Sequence, residues 1–190
     1  VIRKLGTMRG RRGNTPVRRR LNAFGAVLVA LSASMVGVAQ PASADVACLK
    51  MYIVNGYTGH VVSAELGDTR FPGMLRARAG SVGPWEKFER CIDQNTDTFT
   101  LRSLANNRYV SVEMNYTGSY KYMLRARATT VGPWERFKLY PTTSYYMDAF
   151  KGSSNLFVST EMSYSGSDKY MLRARAASMG EWEIYRFGVL

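Results

Sequence analysis

Three stretches decide the fold: MLRARAGSVGPWEKF at 74–88, MLRARATTVGPWERF at 123–137 and MLRARAASMGEWEIY at 171–185. They are near copies of one another. Trp85, Trp134 and Trp182 fall 49 and 48 residues apart, and Leu75, Leu124 and Leu172 keep the same step. Upstream of each lies a second shared block: VVSAE (61–65), YVSVE (109–113) and FVSTE (157–161). Laid over 158–185 without gaps, 110–137 is identical at 18 of 28 positions. Self-similarity at a fixed period is the signature of a repeat architecture, so the chain reads as three units, roughly 46–94, 95–142 and 143–190.

Each unit reads as short strands. In LRARA the period-2 alternation of a strand puts Leu75, Ala77 and Ala79 on one face and Arg76 and Arg78 on the other. TFTLRSL (98–104) and YVSVE alternate and are rich in β-branched and aromatic residues. Asn55-Gly56, Asn106-Asn107 and Gly152-Ser153-Ser154 punctuate them as turns. The second unit predicts strands over 98–104, 108–113, 123–128 and 134–140. A propeller needs four blades or more, and a solenoid needs capping units at open ends. Three complete units predict instead a closed all-β fold, a β-trefoil, which leaves no strand edge unpaired.

The 190 residues carry 26 Lys and Arg against 14 Asp and Glu, a net charge of +12. Eight of those cations (Arg3, Lys4, Arg9, Arg11, Arg12, Arg18, Arg19 and Arg20) precede residue 44, where there is no acidic residue. They run into an apolar stretch, Leu21 to Val38, and then into Ala42-Ser43-Ala44. A basic segment, an apolar segment and a small-x-small site in that order predict a signal peptide over 1–44, cleaved on export. Arg18-Arg19-Arg20 leaves the export route open between the general secretory and twin-arginine systems. Residues 45–190 keep 18 cations against all 14 anions, a net +4. The surplus that would draw phosphate therefore belongs to the leader, and nucleic acid is not an expected partner. Export places Cys48 and Cys91 in an oxidising compartment, so they are expected to form a disulfide that locks the first unit.

One histidine and two cysteines provide no zinc set, so neither metal nor cofactor is expected. Two acids at a defined separation could hydrolyse a glycoside. However, Glu65, Glu113 and Glu161, like Glu86, Glu135 and Glu183, recur in every unit. A residue that builds each unit repeats with it, so these acids are expected to hold turns or the repeated arginines, and catalysis is not expected. His60 stands alone, with no nucleophile in a recognised setting. The tryptophans recur beside Gly-Pro at one strand start and are expected in the core.

The repeated Tyr-Val-Ser-x-Glu, Leu-Arg-Ala-Arg-Ala and Gly-Pro-Trp-Glu-x-Phe blocks resemble the fascin-like (actin-crosslinking-like) β-trefoil domains of secreted bacterial proteins, across essentially all of 46–190. The third unit departs with Glu181 for Pro and Tyr185 for Phe, and the first has a loop one residue shorter before Leu75. The resemblance implies a threefold, non-enzymatic trefoil that binds polymers. In animal relatives the ligand is filamentous actin; for an exported monomer, an extracellular polysaccharide or cell-surface glycan is the expected partner.

The loops between shared blocks are the candidate contacts. MNYTGSYKYM (114–123) and MSYSGSDKYM (162–171) offer tyrosines to stack on sugar faces and polar groups to bond hydroxyls. The expected ligand residues are Tyr116, Tyr120, Lys121 and Tyr122 with Tyr164, Asp168, Lys169 and Tyr170. Tyr116 and Tyr164 could equally pack beneath their loops. The first loop, LGDTRFPGM (66–74), has only Phe71 as an aromatic and is expected to stay out of the site. The alternative partner is a protein surface, engaged by one unit-specific loop such as 66–74 or 141–144 in the manner of a protease inhibitor.

Overall fold

The computed structural model describes residues 46–144 and 146–190. The expected signal peptide lies outside the described residues. Among the described residues twelve strands follow in order: β1 Val46–Asn55, β2 Val61–Glu65, β3 Met74–Ala79, β4 Phe88–Asp93, β5 Thr98–Ser103 and β6 Arg108–Val112, then β7 Leu124–Ala128, β8 Lys138–Pro141, β9 Asp148–Lys151, β10 Phe157–Thr160, β11 Leu172–Ala176 and β12 Tyr185–Val189.

All pairings are antiparallel. Strands β1, β4, β5, β8, β9 and β12 form a six-stranded barrel. Its β5–β8 seam is held by one bridge, in which Phe99 and Phe137 exchange N–H···O bonds of 2.8 and 2.9 Å. The other six strands form three hairpins, β2–β3, β6–β7 and β10–β11, which cap one end. Each hairpin carries a register shift at the same place, Val61/Val62, Tyr109/Val110 and Phe157/Val158, and such bulges bend the strand. Four strands per unit around a pseudo-threefold axis make this a β-trefoil.

The strands in the second unit match the sequence reading except the last. The Gly-Pro-Trp-Glu segment is a 3-10 turn over Pro133–Glu135, and β8 begins only at Lys138. The reason repeats in all three units. A glycine N–H donates to the carboxylate three residues on: Gly83 to Glu86, Gly132 to Glu135 and Gly180 to Glu183, at 2.8, 2.7 and 2.8 Å. This buries the glutamate and turns the intervening side chain outward. The tryptophans are therefore not core residues: Trp85, Trp134 and Trp182 are 40, 39 and 39% exposed. The core is filled instead by Phe88, Phe137 and Tyr185, the last residue of each quoted stretch.

Tyr185 brings a hydroxyl where the other units have phenylalanine. The same unit carries Thr160 where the others have Ala64 and Val112, and the two hydroxyls bond at 2.9 Å with no exposed surface. A buried hydroxyl needs such a partner. Burial pushes the Tyr185 hydroxyl pKa far above its ordinary value. Cys48 and Cys91 face each other across β1 and β4 and form the disulfide.

Candidate functional site

The loops 66–73, 114–122 and 162–170 close each hairpin and meet at the capped end. Met74, Met123 and Met171 are fully buried beneath them, with Phe71, Tyr116, Tyr120 and Tyr164 packed against this methionine cluster. The loops are joined in a ring. Ala126 donates its N–H to Gly73 O (2.7 Å), Ala174 to Tyr122 O (2.9 Å) and Ala77 to Tyr170 O (2.9 Å). Each unit thus holds the loop of the one before it, and the first unit holds the loop of the third.

The arginines of LRARA follow the same rule and divide in two. The second of each set pairs within its unit. Arg78 makes a two-pronged contact with Glu65 (2.7 and 2.5 Å), and Arg127 and Arg175 bind Glu113 and Glu161 likewise. These bonds raise the pKa of all three guanidinium groups. The first of each set reaches across to a neighbouring loop. Arg76 donates to Lys169 O and Gly166 O, Arg125 to Pro72 O, and Arg173 to Lys121 O and Gly118 O. Simple alternation puts these side chains in solvent, but the loops fold back over them and Arg173 is only 8% exposed. The repeated acids are thus engaged with arginines or 3-10 turns.

The loops are not alike where they meet. Phe71, Tyr120 and Asp168 occupy equivalent positions, each lending its carbonyl to the methionine three residues on. The Phe71 and Tyr120 rings are 4.6 Å apart, and Tyr120 donates its hydroxyl to Asp168 at 3.0 Å. Arg70 of the first loop reaches the same point, bonding Asp168 at 2.7 Å, Ser167 and the Tyr120 hydroxyl. Asp68 shapes that loop by accepting the N–H groups of Arg70 and Phe71 at 2.8 and 2.9 Å. Burial pushes the Asp68 carboxyl up, but these bonds and Arg70 outweigh it and hold the carboxyl below its usual range. The first loop, expected to carry no ligand contact, is tied to the third by Arg70, which is long enough to span between them; its one signal in the sequence is a cation where the other loops have serine.

A cleft of about 560 Å³ opens between the second and third loops. Tyr120, Tyr164 and Asp168 line it, with Thr117, Ser119, Ser163 and Ser165 at the rim. Tyr164 donates to Ser119 O and accepts a bond from Arg173 at 2.6 Å, which fixes its ring. The other five expected residues lie elsewhere. Tyr116 packs edge-on against Phe71 and accepts from Arg125. Tyr122 and Tyr170 pack on the main core, with the ammonium groups of Lys121 and Lys169 over their rings at 4.8 and 4.9 Å. Both tyrosines have left-handed backbone, φ +64° and +65°, where the first unit has Gly73 at +84°. At Gly73 a Cβ would come 2.6 Å from Ala126 O, so no side chain fits there.

No protein-family profile and no curated protein matches the chain. Among solved structures it is similar to a designed threefold-symmetric protein, ThreeFoil, at 15% identity over 74% of this chain and 99% of that one, TM-score 0.61. It is similar to the Rhizoctonia solani agglutinin at 14% identity over 80% and 100%, TM-score 0.60. It is also similar to SeviL, solved bound to asialo-GM1 saccharide, at 14% identity over 74% and 97%, TM-score 0.55. At these identities the likeness shows the fold: the chain is a β-trefoil.

Proposed function

We propose that this chain is an exported, non-catalytic member of the fascin-like trefoils that binds carbohydrate in the cleft between its second and third loops. The observation that carries the reading is the cleft itself. Two tyrosines held in place by hydrogen bonds and a carboxylate stand among four hydroxyl side chains. Phenol rings stack on pyranose faces with little loss of side-chain freedom, and hydroxyls and carboxylates bond sugar hydroxyls. Saccharide-bound SeviL and an agglutinin among the structural neighbours support this class of ligand. The engagement of the repeated acids in ion pairs and turns supports a binding role over hydrolysis. The disulfide suits an oxidising compartment, and no helix among the described residues is long and apolar enough to cross a membrane.

The test is a glycan array together with pull-down on insoluble glucan, chitin and cell wall. Thr117→Trp and Ser165→Trp fill the cleft from exposed rim positions and should abolish binding, and Tyr120→Ala should weaken it at least tenfold. Wild-type binding in all three variants would show that the cleft is not the site. One observation favours a protein partner instead: Tyr146 is 82% exposed on the turn following 141–144. Binding that free sugars cannot compete, and that Tyr146→Ala removes, would establish that reading.

A further inference from the structure

The far end of the barrel carries a feature that the threefold pattern does not explain. The chain enters β4 from a cap hairpin at Phe88 and leaves it at Asp93, so the 94–97 turn lies at the open end. Arg90 shares the inward face of β4 with Phe88. By register it is equivalent to Leu139 in the second unit and Phe187 in the third: Arg90 pairs with Leu101, Leu139 with Phe150 and Phe187 with Ile53. Two units close the barrel mouth with an apolar side chain, and the first closes it with a guanidinium.

That guanidinium has ring faces around it but no acceptor among the described residues. It lies 5.9 Å from the centre of the Phe99 ring and 5.2 Å from that of Phe187. Its Nε is buried without a hydrogen-bond partner among the described residues. Ring faces attract the charge, but they do not accept the in-plane N–H donors of a guanidinium. The rim carboxylate Asp97 is already held by Lys138 at 2.8 Å. Asp148 acts on Arg90 only through its field, with no ion pair within 4.0 Å; burial lowers the pKa of Arg90 and raises that of Asp148. Beside Arg90 is a cavity of about 130 Å³ lined by Arg90, Ile92, Asp97, Thr98, Phe99 and Leu139. At ~30 Å³ per water in the liquid, that is room for roughly four waters. It is too small for a sugar ring with its hydroxyls and of the right order for a short hydrocarbon.

We propose that the open end of the barrel is a second binding site, in which Arg90 takes the carboxylate of a small monocarboxylic acid and Ile92, Phe99 and Leu139 cover its hydrocarbon. A carboxylate supplies the two coplanar acceptors that a guanidinium fork matches, and burying its short chain removes apolar surface from water. The site is independent of the cleft, which is built from the cap loops.

Butyrate is the probe, with butyramide as its uncharged counterpart, and the readout is titration of the amide NMR signals of the purified protein. Butyrate should shift residues 90–99 and 139 saturably while leaving 117–120 and 163–168 unmoved, and butyramide should shift none of them. Arg90→Leu installs the residue that the second unit uses at this position, so it keeps the fold, and Arg90→Gln keeps the length and polarity. Both should weaken butyrate binding at least tenfold. Absence of a saturable shift, an equal response to butyramide, or binding retained in Arg90→Leu would overturn the proposal.

Discussion

The two ends of the barrel treat the same kind of side chain in opposite ways. At the capped end Arg173 is nearly buried, yet it donates to Lys121 O, Gly118 O, the Tyr164 hydroxyl and Glu161. At the open end Arg90 is half-buried between rings and has no acceptor among the described residues. The first arrangement recurs around the axis and the second occurs once. Repetition here marks what each unit needs in order to fold on its neighbours, and the departures from it are where the two proposed sites lie. The cleft obeys the same logic, because Phe71, Tyr120 and Asp168 differ at equivalent positions.

Replacing the two arginines by leucine should break the comparison most sharply. Arg173→Leu removes one partner of a buried ion pair and strips acceptors in the second loop. Such losses cost about 3–5 kcal/mol, and urea unfolding should show the midpoint falling accordingly. Arg90→Leu relieves an unsatisfied buried donor and should stabilise by about 1 kcal/mol in the same measurement. Loss of stability in Arg90→Leu would mean that the ring contacts outweigh the missing bonds. Between these in size lies the disulfide, which closes a separation of 43 residues on β1 and β4. Reduction should cost about 3 kcal/mol while the cap ion pairs persist.

The smallest effect concerns pH. Burial raises the Asp148 carboxyl above its ordinary value, against the pull of Arg90. The folded chain therefore holds that proton more tightly than the unfolded one. This contribution to stability is present below the unfolded value and is lost as pH rises through the folded one. Asp148→Asn should accordingly gain stability relative to wild type as pH rises from about 4. A constant difference across the titration would show that Asp148 is as well solvated folded as unfolded.

Much of the architecture was legible because it is written three times. A 48-residue step, alternating strands and turn signals are local patterns, and they led to the trefoil and the pairing of the repeated acids, while the disulfide was read from two cysteines downstream of an export signal. The tryptophans misled because hydrophobicity says that a residue can be buried, not that its turn points it inward; the Gly-to-Glu bond decides that. Of the expected ligand residues, the fold brings three of eight to the cleft. Tyr120, Tyr164 and Asp168 line the cleft, whereas Tyr122 and Tyr170 are turned to the core by left-handed backbone, which their loop sequences do not announce. The role of Arg70 is not legible locally because its partners in the other loops lie 50 to 98 residues away and come together only when the ring of loops closes. Arg90 did leave a signal: FER at 88–90 stands against FKL at 137–139 and YRF at 185–187, a cation in a column of apolar residues.

The ring in which each unit holds the loop of the one before it has a bearing on how the chain can be cut and rejoined. A single unit lacks both the strand that supports its loop and the loop that covers its arginine, so no unit is a folding domain by itself. The whole should unfold cooperatively. Because β1 and β12 are paired neighbours, linking Leu190 to Val46 and opening the chain in the 94–97 turn keeps every contact in the ring. Such a circular permutant should fold to the same trefoil, whereas opening at 118–119, inside a loop that another unit's arginine grips, should not.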